Sequence, residues 1–310
     1  MLDKSFDPKK SFDPKKFIDR EFEQELFEEL LQFKDDARIL AIRDAGGMGK
    51  SQLLQKFQYR CRTAGRPRTP VALIDLGQLP DSSPLMLAQQ LAKEFTAFSL
   101  SFPNFERVEM ARRAHDFSTI RGTVDQRHAN MQGAHITTAG VMTQIAQADS
   151  VTLNSGNTTF SEEQQATAQE KCVEAFLEDL VSHCHQQRIV ILLDAYEKCT
   201  PTLQKWLLEQ FVEPHCFDTS RRPPNLILVV AGKEIPAFEQ YWSEGECDQI
   251  VKSVRSLGKW SRNHVEECLR VHGFNYAEHD LNLFCTMVER GVPPQIVVQT
   301  MESILPRQWR

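Results

Sequence analysis

No uncharged apolar run in these 310 residues approaches the ~18–20 residues that a helix needs to cross a bilayer, which excludes a membrane span of that kind. The opening, Met1-Leu2-Asp3-Lys4-Ser5-Phe6-Asp7-Pro8, has no apolar stretch and no small-residue cleavage site, so a cytoplasmic chain is expected. The eight cysteines contain no CxxC pair, and a chain of this length can build a core without disulfides, so free thiols filling that core are expected. One metal-like cluster exists, His183-Cys184-His185, but three consecutive residues of a helix point about 100° apart and suit no single ion. There is no excess of positive charge either. With 36 basic against 42 acidic residues, the net charge of −6 gives no global field to draw in nucleic acid, so such a partner is not expected; a local basic patch stays compatible with the balance.

What is present is apolar content of 41%, enough for about two domains with a full-sized core. The chain divides into an N-terminal tail (1–16), a sheet domain (17–252) with a polar insertion at about 99–160, and a helical segment (253–310). The tail holds SFDPKK twice, Ser5 to Lys10 and Ser11 to Lys16; six residues are too few for a folding repeat, and the prolines oppose a helix. Phe22, Leu26, Leu30 and Phe33 follow at helical spacing, with acidic residues on the outer face. Arg38 to Arg43, Pro70 to Leu76, Ile189 to Asp194 and Leu226 to Ala231 are short, uninterrupted apolar runs of the buried-strand type. They alternate with helical text at Ser51 to Arg62, Pro84 to Phe98 and Glu162 to Gln187. The fold class that results is α/β, a three-layer α/β/α arrangement on a parallel sheet, followed by a small all-helical region.

The insertion is dominated by Thr, Gln, Asn, Ala, Gly and His, and Thr137 to Asn157 has little period of either kind. Two readings stay open: a mobile loop or lid that cannot offset its own ordering entropy, and a partner-binding element that orders on contact. Beyond Lys252 the strands stop. Ser261 is placed to cap a helix that Gly273 ends, a second helix spans about Asp280 to Glu289, and Gly291-Val292-Pro293-Pro294 precedes a last one ending near Leu305.

Between the first strand and its helix lies Asp44-Ala45-Gly46-Gly47-Met48-Gly49-Lys50-Ser51-Gln52. Glycines there let backbone N–H groups curl inward around phosphates, Lys50 reaches the β- and γ-phosphates, the Ser51 hydroxyl binds Mg²⁺, and the helix presents its positive end. A nucleoside triphosphate is the implied ligand. The consensus GxxxxGK[ST] has glycine where this chain has Asp44; a carboxylate adds bulk and negative charge near the phosphates and is expected to lower affinity or turnover. Asp194, at the end of Ile189-Val190-Ile191-Leu192-Leu193-Asp194, is the candidate second acid for Mg²⁺, with a helix cap as the competing reading. Glu197 is the nearest candidate to polarise the attacking water; a solvated acid or structural ion pair is the alternative. Lys233, just past the strand Leu226 to Ala231, is placed to sense a γ-phosphate.

In these motifs the chain resembles the STAND class of AAA+-related ATPases, which includes the NACHT and NB-ARC modules. The family's hhGRExE motif, beside the adenine, corresponds to Phe17-Ile18-Asp19-Arg20-Glu21-Phe22-Glu23, with Asp19 in place of glycine. Its GGxGKS loop corresponds to Gly46 to Ser51, its acidic strand end to Leu192 to Glu197, and its sensor AGR to Ala231-Gly232-Lys233. Its GxP motif, which touches base and sugar, corresponds to Gly291-Val292-Pro293. The resemblance implies Ile18, Arg20, Lys233 and Pro293 as nucleotide contacts. It also implies a five-stranded parallel sheet in the P-loop order with the acid on a neighbouring strand, a helical lid, and ATP or ADP between them. The family's usual winged helix, sensor repeats and effector are not expected within these 310 residues. Arg221 and Arg222 stand where some AAA+ relatives place an arginine finger, but a solvated basic loop is the preferred reading.

The function expected is an ATP-binding switch with slow hydrolysis, signalling to a protein partner or by self-association. A non-hydrolysing nucleotide-bound scaffold is the alternative, motivated by Asp44 and by the lack of a glutamate directly after Asp194. An AAA+-like DNA-acting ATPase and a small-molecule kinase are weaker readings.

Overall fold

The computed structural model describes residues 12–33, 36–64, 68–113 and 162–307. Most of the polar insertion (114–161) and the first SFDPKK copy lie outside the described residues; within 99–113, residues 103–113 are helical. The second copy is described from Phe12 onward, and the Phe12 ring stands 6.2 Å from that of Phe17 and 6.5 Å from that of Tyr59. None of the described helices is long and apolar enough to cross a membrane.

Five strands, β1 (Ile39–Arg43), β2 (Val71–Asp75), β3 (Ile189–Asp194), β4 (Leu226–Gly232) and β5 (Val251–Val254), form one sheet in the order β2-β3-β4-β1-β5, every pairing parallel. Among the described residues the α-helices are α1 (Glu21–Gln32), α2 (Lys50–Thr63), α3 (Pro84–Thr96), α4 (103–113), α5 (Glu162–Gln186), α6 (Pro201–Trp206), α7 (Glu244–Ile250), α8 (Arg262–His272), α9 (Glu278–Glu289) and α10 (Pro294–Ile304), and a π-helix, Leu207–Phe217, continues from α6. This is a three-layer α/β fold with a helical C-terminal region.

One expectation is corrected. The acid-bearing strand β3 is not the neighbour of β1, because β4 lies between them. The fully buried run Leu226 to Gly232 needs a strand on each side, whereas the half-polar Val251-Lys252-Ser253-Val254 tolerates the edge. That short strand also carries the sheet two residues past Lys252, where strand text was expected to end.

Burial follows the strand period of two. Leu40, Ile42, Leu192, Val229 and Ala231 face a cluster with Leu30, Leu53 and Phe57 of α1 and α2. Ile39, Ala41, Ile191, Leu193, Leu228 and Val230 point the other way and are equally buried, so both faces are covered. The Phe27 and Phe57 rings stack at 4.1 Å and fasten α1 to α2. A second cluster joins Ile18 to Val265, Leu269, Phe284, Val297 and Met301 of α8, α9 and α10. Phe102, Phe105 and Phe176 pack together in a separate compact unit, Phe102–Asp179. All eight cysteines are free and buried, and burial pushes the Cys61, Cys184 and Cys268 thiols up to about 12, which marks them as core filler.

Candidate nucleotide-binding site

Parallel register lines up the strand ends: Arg43 pairs with Gly232 and Asp75 with Asp194. The loop after β1 therefore opens beside the ends of β4 and β3, at the carboxyl edge where open α/β sheets bind ligands. Gly47 (φ 79°) and Gly49 (φ 94°) take left-handed backbone, which L side chains resist, and Gly49 is the N-cap of α2.

Lys50 begins that helix and is 8% exposed. Its ammonium donates to the carbonyls of Asp44 and Ala45, both at 2.7 Å. Burial lowers its pKa, opposed by the negative charges of Asp44, Glu197 and Asp194 and reinforced by Lys233. The Ser51 hydroxyl lies near the Asp194 carboxylate and favours its charged form, and that carboxylate accepts the Ala195 N–H at 2.9 Å. Burial raises the Asp194 pKa, with Asp75 on the adjacent strand adding to the rise and Ser51, Ala195 and Lys50 opposing it. A hydroxyl and a carboxylate brought together at the start of α2 form an oxygen-only donor set, the kind that fits Mg²⁺.

Glu197 is three residues past the strand, and the backbone shows how it returns to the site. Ala195 turns left-handed (φ 56°) into a short 3₁₀ turn, Tyr196–Lys198, and Glu197 Oε2 accepts the Lys233 N–H at 2.9 Å. Because β4 is β3's neighbour, the acid past one strand end meets Lys233 at the end of the next. Gly232 makes this possible: a Cβ there would lie 2.8 Å from Glu197 Oε2 and 2.3 Å from the Glu234 carbonyl. The Lys233 side chain crosses the loop, with its Cε 3.2 Å from where a Cβ on Gly46 would stand.

The upstream motif reaches the same loop. Arg20, 4% exposed, donates to Met48 O at 3.0 Å, to Gly258 O at 2.7 Å and to Asp19 Oδ2 at 2.8 Å. Asp19 and Arg20 both have positive φ, the backbone conformation that glycine adopts most readily. Ile18 belongs to the cluster of C-terminal helices.

Pro293 abuts the loop: a Cβ on Gly47 would lie 3.1 Å from its Cβ, and the Gln295 N–H donates to Gly47 O at 3.3 Å. A cavity of about 40 Å³ lies among Met48, Lys259, Trp260, Val288, Gly291, Val292 and Pro294. It is far smaller than the ~300–1,000 Å³ of a typical ligand pocket.

Among the expected residues, the loop, Asp194, Glu197, Lys233, Arg20 and Pro293 converge, while Gln52 is exposed on the first turn of α2. Sequence reasoning missed Leu257, Gly258, Gln295 and Trp260; of these only Gln295, two residues past the GxP proline, had a motif nearby.

No family model matches the sequence, and no curated protein matches it. Among solved structures, the chain is similar to the Aeropyrum pernix ORC2 protein, determined as ADPNP–ADP complexes, with 11% identity, a TM-score of 0.47, and coverage of 95% of this chain and 70% of that one. That likeness is too low to carry function across.

Proposed function

We propose that this chain is an ATP-binding molecular switch of the STAND type, which hydrolyses ATP slowly and signals through its C-terminal helices to a protein partner or to another copy of itself. The observation that carries the reading is the convergence on one glycine loop of Lys50, the Ser51–Asp194 pair, Glu197 and Pro293. A simple glycine turn has no need of a buried lysine, a paired hydroxyl and acid, and a contact from a distant helix pair.

In this reading the N–H groups at the start of α2 and the Lys50 ammonium bind the phosphates, and Lys233 approaches the terminal one from across Gly46. Ser51 and Asp194 hold Mg²⁺, which supplies neutralisation of phosphate charge when bound. The Lys233 amide fixes one oxygen of Glu197, and the other orients and deprotonates the attacking water. The base lies at the cavity between Met48 and Trp260. A volume of about 40 Å³ admits a water or two but no purine, so base binding requires the C-terminal helices to shift relative to Met48. A ligand whose binding needs one arrangement over another shifts the population between them, and that is the switch.

The second reading, a nucleotide-bound scaffold without turnover, is favoured by the engagement of Glu197 with the Lys233 amide. Phosphate release from ATP and Mg²⁺ decides between them. The switch predicts slow release that Glu197→Gln and Asp194→Asn each abolish while ATP binding persists; bound nucleotide with no release in the wild type supports the scaffold.

A further inference from the structure

The amino ends of the strands, about 16 Å from the loop after β1 by the length of that strand, carry a second concentration of charge. Arg38 immediately precedes β1 and Arg188 immediately precedes β3, two strands that β4 separates. Their guanidinium carbons nevertheless converge on one ring, 4.6 Å and 4.8 Å from the centroid of Phe33.

Phe33 is the C-cap of α1 and takes left-handed backbone (φ 48°), a conformation that helix ends usually give to glycine and that a bulky side chain resists. Strain of this kind persists where the surroundings hold the side chain in one place. The ring face attracts each cation, but it brings no negative charge, and the two guanidinium groups repel one another.

An acid could offset that repulsion, yet the acids of this edge are engaged elsewhere. The Asp36 carboxylate accepts Gln249 Nε2 at 2.9 Å and lies 3.6 Å from Arg222; Glu28 pairs with Arg60 and Asp218 with Arg221. Among the described residues no acid pairs with Arg188, and its Nε, shut off from solvent, has no hydrogen-bond partner. Burial lowers the Arg188 pKa, and Cys61 is the one group that opposes the shift. Burial pushes that thiol up to about 12, so it brings no charge at neutral pH, while an arginine stays protonated there. Arg188 is thus a partly desolvated cation without a counter-ion, an arrangement that is unfavourable until a negative group joins it.

We infer that Arg38 and Arg188 form an anion site at the amino edge of the sheet, which takes a dianionic phosphoryl group, either as free phosphate or on a phosphorylated side chain. Two cations match its two charges, and the guanidinium fork of N–H donors fits phosphate oxygens at two points. A carboxylate would neutralise only one of them. Arg38 is buried and Arg188 partly so, which suits one compact group; a nucleic-acid backbone would also meet the charge of Asp36, 55% exposed at the rim. Neither arginine belongs to the nucleotide site, so this inference does not rest on that reading.

The experiment titrates inorganic phosphate into the full chain carrying Lys50→Ala, which silences the loop after β1, and follows binding by calorimetry and ³¹P NMR. The site predicts saturable binding of one phosphate per chain. Adding Arg188→Gln should weaken it at least tenfold, and Arg188→Lys should restore little, because it keeps the charge but not the fork. Acetate should bind at least tenfold more weakly than phosphate. A phosphoserine pentapeptide names the source: tighter binding than phosphate assigns the group to a modified side chain, weaker binding to the free ion, and either supports the site. In phosphate-free buffer Arg188→Gln alone should melt no lower than wild type, since an unmatched charge is gone, and added phosphate should raise wild type above it. A purely structural arginine predicts the opposite, a variant that melts lower by the same margin at every phosphate concentration. That result, phosphate binding that is absent or is equal with and without Arg188, or acetate binding as tightly as phosphate overturns the inference.

Discussion

Gly47, in the loop between β1 and α2, faces Pro293 at the head of α10 so closely that a Cβ on the glycine would stand 3.1 Å from that of the proline. With φ at 79°, an alanine there meets backbone strain of roughly 1–2 kcal/mol as well as the ring. Gly47→Ala is expected to lower the melting temperature by a few degrees, since 1 kcal/mol moves it by roughly 2–4 °C in chains of about this size. Nucleotide affinity should fall with it, by tenfold or more in a calorimetric titration.

Gly232→Ala tests the link between the two strand ends. Its Cβ would meet the Glu234 carbonyl at 2.3 Å and Glu197 Oε2 at 2.8 Å, so the Glu197 bond to the Lys233 amide must give way. A loss of about 1–3 kcal/mol in urea unfolding is expected from the overpacking. Phosphate release should vanish while ATP binding through Lys50 and Ser51 is retained.

Arg20→Ala would leave the Asp19 carboxylate, Met48 O and Gly258 O without their guanidinium. Breaking a buried pair by removing one partner costs about 3–5 kcal/mol, so the variant should be severely destabilised in denaturant titration. Arg20→Lys should recover little of it, because one ammonium cannot reproduce the planar fork that spans three acceptors.

Four strands were legible because each is an uninterrupted apolar run, and the turn between β1 and α2 because its glycines, lysine and serine sit between a strand and a helix. The fifth strand was not, since Lys252 and Ser253 break the pattern at a sheet edge that can tolerate them. Strand order was legible only through resemblance, and the placement of β4 between β1 and β3 needed the structure. Asp44 was visible as a departure from consensus, but its carboxylate bonds Leu257, 213 residues away, and no local period records such a contact. Glu197 looked badly spaced from Asp194 until the left-handed turn at Ala195 brought it back to Lys233.

His215 gives a prediction independent of the site. Burial, assisted by the charge of Arg221, lowers its pKa from 6.5 to about 4, and its ring lies 5.7 Å from that of Phe211. Between pH 6.5 and 4 the unfolded chain binds a proton that the folded chain refuses, so stability falls as pH drops through that window and is unaffected by this group above it. Thermal melts should show the slope in wild type and a shallower one in His215→Phe.

The most direct test of the central claim is calorimetric titration of ATP with Mg²⁺ into the full chain beside Lys50→Ala. A nucleotide site built on this loop predicts saturable one-to-one binding by wild type and at least a hundredfold loss in the variant. Equal affinity in the two, with both chains folded, would contradict it.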